Sequence, residues 1–552
     1  MKKNIYILTL SLLAISLSGC NDFLDKNPTN RAELASPEDL RSLLVSAYPE
    51  TTYFPFAETM SDNVTDVGDV VSDDISRRKY YHWEQNNEVS QDTPNGFFSS
   101  SYTSIAIANQ ALRAIDRIVQ EGKYTQEEMN PYKGEALFTR GYNHFMLVNF
   151  FAEHYDPNTA ETDMALPYIT TIEEQPEVKY QRLTVKAMYD LIEKDLLEGY
   201  NLINDNVYPD TKKWHFNKAA AGIMLSRFYL YRGLTTPDAN GMDDFDKVIK
   251  YATEAVSTQP TIRDWTKTYN IPLEDFLSWY CSSREDANLL IVSAISTGSQ
   301  HRTWSNRYTM NINLLQQKFT SATPHPTKNK IDYLLGYRGY GNSTIGCYAI
   351  FTINEYFKRS GINANYGYPY VMFNAITSEE GLFNLAEAYV MKGNYQQVRN
   401  LLNIYYSKRA KGTNTGQLYN PVTHEVTDQK IREIYNGDID LYATPLAPHY
   451  ALSADQLTYL RCVLNIRSLE FWGQGLRWFD IKRMHIPITH KVFPNQQITL
   501  SANDPRRVIP LPEDAIRGLE NINNSSYSPT NTLNMYPALT FEQISALQPV
   551  KE

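Results

Sequence analysis

Between Leu382 and Leu402 the chain holds two helical runs around one turn. The first is Leu382-Phe383-Asn384-Leu385-Ala386-Glu387-Ala388-Tyr389-Val390-Met391. Lys392-Gly393-Asn394 makes the turn, and Tyr395-Gln396-Gln397-Val398 starts the second run. Alanines sit where two helices would cross closely, and Gly393 can take the left-handed backbone that ends a helix. The arrangement recurs at Lys218–Tyr231, followed after an insertion by Phe245–Val256. Upstream, Tyr102, Ile105, Ala106, Asn109, Leu112, Ile115 and Ile118 share one stripe at helical period from Phe98 onward. Gly134–Phe151 is an apolar helix of about five turns. Gly122 and Pro131 predict the break between those two, and Ala187–Ile203 reads as another helix. Helical pairs of this size bury their apolar faces only by stacking, so the runs predict one helical layer built from distant parts of the chain.

Small residues at the crossing, a Gly-Asn turn and an aromatic after it resemble a tetratricopeptide repeat. Two copies are well formed and two are degenerate, at irregular spacing. The expected fold is therefore mainly α. It is a tetratricopeptide-like scaffold, helical over about 98–258 and 378–484, with a large irregular, loop-rich region. The irregular parts are about 57–97, 260–375, 409–455 and 485–552. The second of these is rich in Tyr, Asn, Ser, Gly and Thr, and includes Trp265, Trp279, Trp304, Tyr308, Tyr337, Tyr340, Tyr366, Tyr368 and Tyr370. Ser36 as N-cap, Pro37 at the first helical position and Glu38-Asp39 in the first turn predict a helix start. Val508-Ile509-Pro510-Leu511-Pro512 reads as an extended apolar segment running into a short turn.

At the N-terminus, Lys2-Lys3 precede an apolar run from Ile5 to Leu17. A bilayer span needs roughly 20 apolar residues, so this run is too short to cross. It has the layout of a secretory signal. Leu17-Ser18-Gly19-Cys20 resembles the lipobox of bacterial lipoproteins. That resemblance implies a diacylglycerol on the Cys20 thiol, cleavage before it and acylation of the new amino group. Residues 1–19 would then be a signal peptide and 20–552 a single body moored by its lipid. Several acyl chains hold a protein stably where one does not. The alternative is an ordinary signal with a coincidental cysteine.

A net charge of −10 with no long basic run argues against nucleic acid as a partner. Cys281, Cys347 and Cys462 are odd in number and widely spaced, which gives neither a disulfide framework nor a zinc pattern. Three buried thiols are expected, with a Cys281–Cys347 bridge as the alternative. Asp62, Asp66, Asp69, Asp73 and Asp74 cluster without the spacing of a calcium-binding EF-hand, so a solvated loop is the expectation. No metal or cofactor is expected. Tyrosine, 40 of 552 residues, offers a flat apolar ring with a polar tip, which suits sugar faces as well as ordinary cores. The candidate ligand contacts are Tyr80, Tyr81, Trp83, Trp279, Trp304, Arg307 and Tyr308. For each of them a core or interface role is the alternative.

Five segments in order resemble the SusD/RagB family of outer-membrane nutrient-binding lipoproteins of Bacteroidota. They are Cys20 with Asp22-Phe23-Leu24-Asp25 and Pro28; Gly134-Glu135-Ala136 through Phe151; Lys218-Ala219-Ala220-Ala221 through Tyr231; Leu385-Ala386-Glu387-Ala388; and Arg467-Ser468-Leu469-Glu470-Phe471 through Arg477-Trp478-Phe479-Asp480-Ile481-Lys482-Arg483, closed by Ile509-Pro510-Leu511-Pro512. The resemblance implies a tetratricopeptide-like scaffold whose large irregular, loop-rich region is ligand-facing, and a SusC-like TonB-dependent transporter as partner, over which the lipoprotein sits as a lid. It implies a glycan ligand, or in some members a peptide, on which no chemistry is done. Two positions depart from the family: Phe97-Phe98 stands where many members have tryptophan, and the acidic run after the lipid cysteine shrinks to Asp22. Ligand residues of the family lie in variable loops, so none carries over.

Arg477, Asp480, Glu135 and Arg140 are expected to pair within the fold, since charges beside Trp472, Trp478 and Phe479 need partners. Two other functional classes stay open. A lipid-anchored glycoside hydrolase would need two carboxylates about 5–5.5 or 6.5–9.5 Å apart across a cleft. No GxSxG, HExxH or Walker motif is present. The other class is a tetratricopeptide-type scaffold for protein interaction.

Overall fold

A computed structural model describes residues 34–519, apart from 70–72, 173–178, 298–305, 320–324, 335–338, 343–345, 351, 362–363, 414–416 and 440–441. Cys20 and Trp304 lie outside the described residues. The helices in chain order are α1 Pro37–Leu44, α2 Phe54–Thr59, α3 Ile75–Tyr81, α4 Pro94–Gln120, α5 Gln126–Phe151, α6 Val185–Leu202, α7 Lys218–Arg232, α8 Asp244–Val256, α9 Leu273–Tyr280, α10 Ile312–Phe319, α11 Ser378–Met391, α12 Tyr395–Arg409, α13 Asp428–Tyr435, α14 Ala454–Glu470, α15 Leu476–Arg483 and α16 Glu513–Arg517. The strands are β1 Thr65–Asp66, β2 Asn288–Ile295, β3 Tyr308–Thr309, β4 Ile331–Tyr333, β5 Gly339–Asn342, β6 Cys347–Ile350, β7 Asn354–Arg359, β8 Gly367–Thr377, β9 Ala410–Gly412, β10 Ile488–Val492 and β11 Gln496–Leu500.

The fold is mainly α, as the periodicity predicts. Helices α4 to α8 pack each on the next, and α11 then packs on α8, although about 120 residues separate the two in sequence. From α11 the layer continues through α12 and α14. Close crossings hold it together. A Cβ on Gly199 of α6 would stand 2.7 Å from the carbonyl oxygen of Gly134 on α5. A Cβ on Gly222 of α7 would stand 3.0 Å from Tyr251 and Ala255 of α8. Gly393, at φ 69°, ends α11, and the Asn394 side chain caps α12 by accepting from the Gln397 N–H. Ser36 caps α1 in a reciprocal capping box with Asp39.

Three local readings differ. Pro131 does not break the chain: a Thr125–Glu128 capping box starts α5 earlier, and the proline lies inside it. It removes only one backbone hydrogen bond close to the helix start, which the cap outweighs. The stretch 260–375 contains an antiparallel sheet of order β2-β8-β7, in which Val292 pairs with Phe373 and Ala294 with Val371 on the core side. The acidic loop is solvated at Asp69 and Asp74, which stay exposed, but its carboxylates also find partners within the fold. Asp62 receives Arg477 at 2.8 Å, Asp66 and Asp69 share Arg307, Asp73 takes Arg78, and Asp74 caps α3. Among the described residues no group of three metal-binding side chains forms.

The buried charges find partners. Arg140 forks onto Asp195, Arg483 bridges Glu387 and Asp480, and Glu135 accepts from Tyr48 and Tyr208 and faces His215 at 3.0 Å. Cys281, Cys347 and Cys462 are free, buried thiols, and burial pushes Cys281 up to about 11.

Candidate functional site

After α3 the chain turns sharply at Trp83, whose φ of 55° lies in the left-handed region. The turn sends residues 84–92 back across the start of α4, where Thr93 caps the helix by accepting from the Gly96 N–H. Opposite runs the segment 505–511. It is pinned by the Ile509 N–H on the Phe150 carbonyl and by the Arg507 guanidinium, which donates to the carbonyls of Ile481, Ile486 and Ser501. Between the two segments opens a cleft of about 360 Å³.

One wall is apolar and is built from Val508, Ile509, Pro510 and Leu511, with Met60 and Phe151 below. The facing wall carries the side chains of Gln85, Asn86, Asn87 and Asn95. Asn86 donates to the Tyr80 hydroxyl at 2.8 Å, which holds its carboxamide at the rim. Arg506 is held by Asp504 and by the Thr499 carbonyl, and its guanidinium lies 5.5 Å from the Trp83 ring centre. Arg182 donates to the carbonyls of Met164 and Ala165, and burial lowers its pKa to about 10. Among the described residues a single carboxylate, Glu84, lines the cleft. A second hollow of about 330 Å³, walled by Phe98, Tyr102, Ile169 and Leu519, adjoins it through Asn95 and Leu511.

Of the aromatic candidates, Tyr80 and Trp83 border this cleft. Trp83 is largely buried; its indole N–H donates to the Met60 carbonyl and its ring stacks on His490 at 4.4 Å. Tyr81 and Tyr308 meet one another instead, stacked at 4.7 Å and 0% and 1% exposed, with His490 on Tyr81 at 4.1 Å. Arg307 stands beside that stack, bound to Asp66 at 2.8 Å. Trp279 is separate, half-buried on α9 against Phe276. The carboxamides of the cleft and Arg506 were not singled out in sequence. Their one local signal is the run Gln85-Asn86-Asn87 directly after the aromatic group.

Comparison with known proteins places this architecture. A family model, SusD-like and described as "Starch-binding associating with outer membrane", matches residues 22–230. No curated protein matches the chain. Crystal structures share the fold along most of their length. A SusD superfamily protein from Bacteroides thetaiotaomicron superposes with a TM-score of 0.59 at 17% identity, covering 87% of this chain and 97% of the other. One from Bacteroides fragilis gives 0.60 at 17%, covering 89% and 100%. A SusD-like carbohydrate-binding protein from Bacteroides vulgatus gives 0.56 at 14%, covering 88% and 97%. No helix among the described residues is long and apolar enough to cross a membrane.

Proposed function

This chain is a SusD/RagB-family protein, in sequence over residues 22–230 and in fold over nearly nine-tenths of its length, and on that premise we propose that it is an outer-membrane surface lipoprotein, anchored through Cys20, that captures an extracellular glycan and passes it to a SusC-like TonB-dependent transporter. The observation that carries the binding step is the two-sided cleft. A sugar ring has apolar C–H faces and a rim of hydroxyls. The wall Val508–Leu511 fits the first, and the carboxamides of Gln85, Asn86, Asn87 and Asn95 can both donate to and accept from the second. One lining carboxylate supports binding over hydrolysis, which uses a pair. Affinity should be modest, because much of a bound sugar stays hydrated and ordering it costs free energy.

Incubating the purified chain with neutral oligosaccharides distinguishes the readings. Retardation without depletion of the sugar is the expected result; depletion would mean a hydrolase, and neither would leave the scaffold reading. Gln85→Ala and Asn86→Ala should each weaken retention about two- to tenfold, the worth of one hydrogen bond. In cells, Cys20→Ala should move the protein from the membrane fraction to the soluble one; unchanged membrane retention would refute the anchor.

A further inference from the structure

Most exposed aromatics of the described residues gather in one place, away from the cleft. Tyr366 is 71% exposed, Phe357 60%, Tyr368 54% and Tyr356 36%, all on the β7–β8 hairpin. Their faces follow from the register. Tyr356 opposes Tyr370, and Lys358 opposes Tyr368. The Ser360 N–H on the Tyr366 carbonyl continues the ladder. In β2 the core face is Val292 and Ala294, which oppose Phe373 and Val371. The other face carries Ser293 and Ile295, and with them Tyr356, Lys358, Tyr366, Tyr368 and Tyr370. Strand geometry spaces Tyr366, Tyr368 and Tyr370 about 7 Å apart, a row of roughly 13 Å.

Packing accounts for part of this row. Tyr356 and Tyr370 form a cross-strand pair at 5.8 Å, and the Tyr356 hydroxyl lies 2.6 Å from Ser293 Oγ. It does not account for Tyr366 and Tyr368, whose rings stay open to water. Nor does it account for the charge. Lys358 reaches over the Tyr370 ring at 4.6 Å, on the tyrosine face, and Arg359, next along β7, opposes Gly367 on the other face. Neither cation has an ion-pair partner among the described residues, in a chain whose net charge is −10. Lysine at an open strand edge can simply discourage pairing with other chains. Here the same lysine lies over the buried Tyr370 and opposite Tyr368, so it stands next to the two open rings, which is the chemistry that holds a sugar face and an acidic substituent together.

We propose that the outward face of the β7–β8 hairpin is a second carbohydrate-binding surface, distinct from the cleft, and that it takes an anionic glycan carrying uronate or sulfate groups. Tyr366 and Tyr368 stack on successive sugar rings, and Lys358 pairs with the acidic substituent. The surface needs neither the cleft nor the transporter.

The test is affinity electrophoresis and calorimetry of the chain from residue 20 onward. The probes are polygalacturonate, its fully methyl-esterified form, and chondroitin sulfate. Free polygalacturonate or chondroitin sulfate should bind, with the esterified polymer about two- to fivefold weaker, the scale of an exposed ion pair. Binding should fade between 0.05 and 1 M salt, as the screening length falls to about 3 Å. Lys358→Glu and Tyr368→Ala, both at exposed positions, should each weaken it by a similar factor, with far-ultraviolet circular dichroism unchanged. The cleft variants Gln85→Ala and Asn86→Ala should not. The proposal is overturned if both anionic polymers fail to bind, if esterification or Lys358→Glu makes no difference, or if only the cleft variants abolish binding. It is equally overturned if an extended peptide, but no anionic glycan, protects the β7 edge. None of these outcomes touches the neutral-sugar test of the cleft.

Discussion

Arg263, Glu379, Arg409 and Glu470 form a closed set of two cations and two anions where α11, α12 and α14 meet, each 0–3% exposed. Arg409 donates through Nε and Nη2 to Glu470, both at 2.8 Å, and through Nη2 to Glu379 at 3.0 Å. Arg263 closes the set on Glu379 at 3.1 Å. Glu470→Gln keeps the volume and removes one charge, leaving two guanidinium groups against a single carboxylate. Breaking a buried pair from one side costs about 3–5 kcal/mol. Unfolding entropy near 2.1 cal/mol/K per residue over 552 residues is about 1.2 kcal/mol/K, so the melting temperature should fall by roughly 3–4 °C. Calorimetry and urea denaturation read this directly. The double variant Arg409→Met/Glu470→Leu leaves Arg263 and Glu379 balanced and should be less destabilised than Glu470→Gln. A Glu470→Gln protein within 1 kcal/mol of the parent, or a double variant worse than the single one, would refute the claim that charge balance governs this joint.

Acid should weaken the fold through His144. The Arg140 carbonyl accepts from its Nδ1 at 2.9 Å, its Nε2 accepts from the Ile169 N–H at 3.1 Å, and burial lowers its pKa to about 3. The native state thus holds the neutral ring; this stability is complete above the ordinary value of about 6.5 and is lost as pH falls, by about 2 kcal/mol between pH 7.5 and 5. Urea midpoints across that range should show His144→Gln with a shallower slope than the parent, and equal slopes would count against it. Gly199→Ala should destabilise by about 1–3 kcal/mol, because its Cβ meets backbone atoms of Gly134 and Phe138 that cannot give way. Lys194→Ala, exposed on the same helix, should change stability by less than about 0.5 kcal/mol.

The helical layer is legible in sequence because its signals are local. The stripe through Ile105 and Ile118, the Ala-rich run from Lys218 and the Gly393-Asn394 turn each need fewer than about 20 neighbouring residues to be read. Pro131 was misleading for a matching reason: a proline is conspicuous, whereas the Thr125–Glu128 capping box that overrides it is a weaker signal. The sheet was hidden because β8 is apolar on both faces, so Val371 and Phe373 inside alternate with Tyr370 and Met372 outside and no period of two stands out.

Aromatic contact residues are harder, since exposure of a ring is decided by its partner. Tyr80 and Tyr81 are neighbours, yet one borders the cleft while the other is sealed by Tyr308 and by His490, some 410 residues away. Asp66 likewise depends on Arg307, 241 positions distant. What separates a surface ring from a core ring is therefore the opposite face of its own strand. In Tyr366-Gly367-Tyr368-Pro369-Tyr370 the positions between the tyrosines are a glycine and a proline. Neither supplies a bulky side chain to the core side, and Phe357, which shares that side, is itself 60% exposed. This end of β7 and β8 has little core to cover. Burial therefore does not account for Tyr366 and Tyr368, 71% and 54% exposed, and a bound ligand is what would cover them.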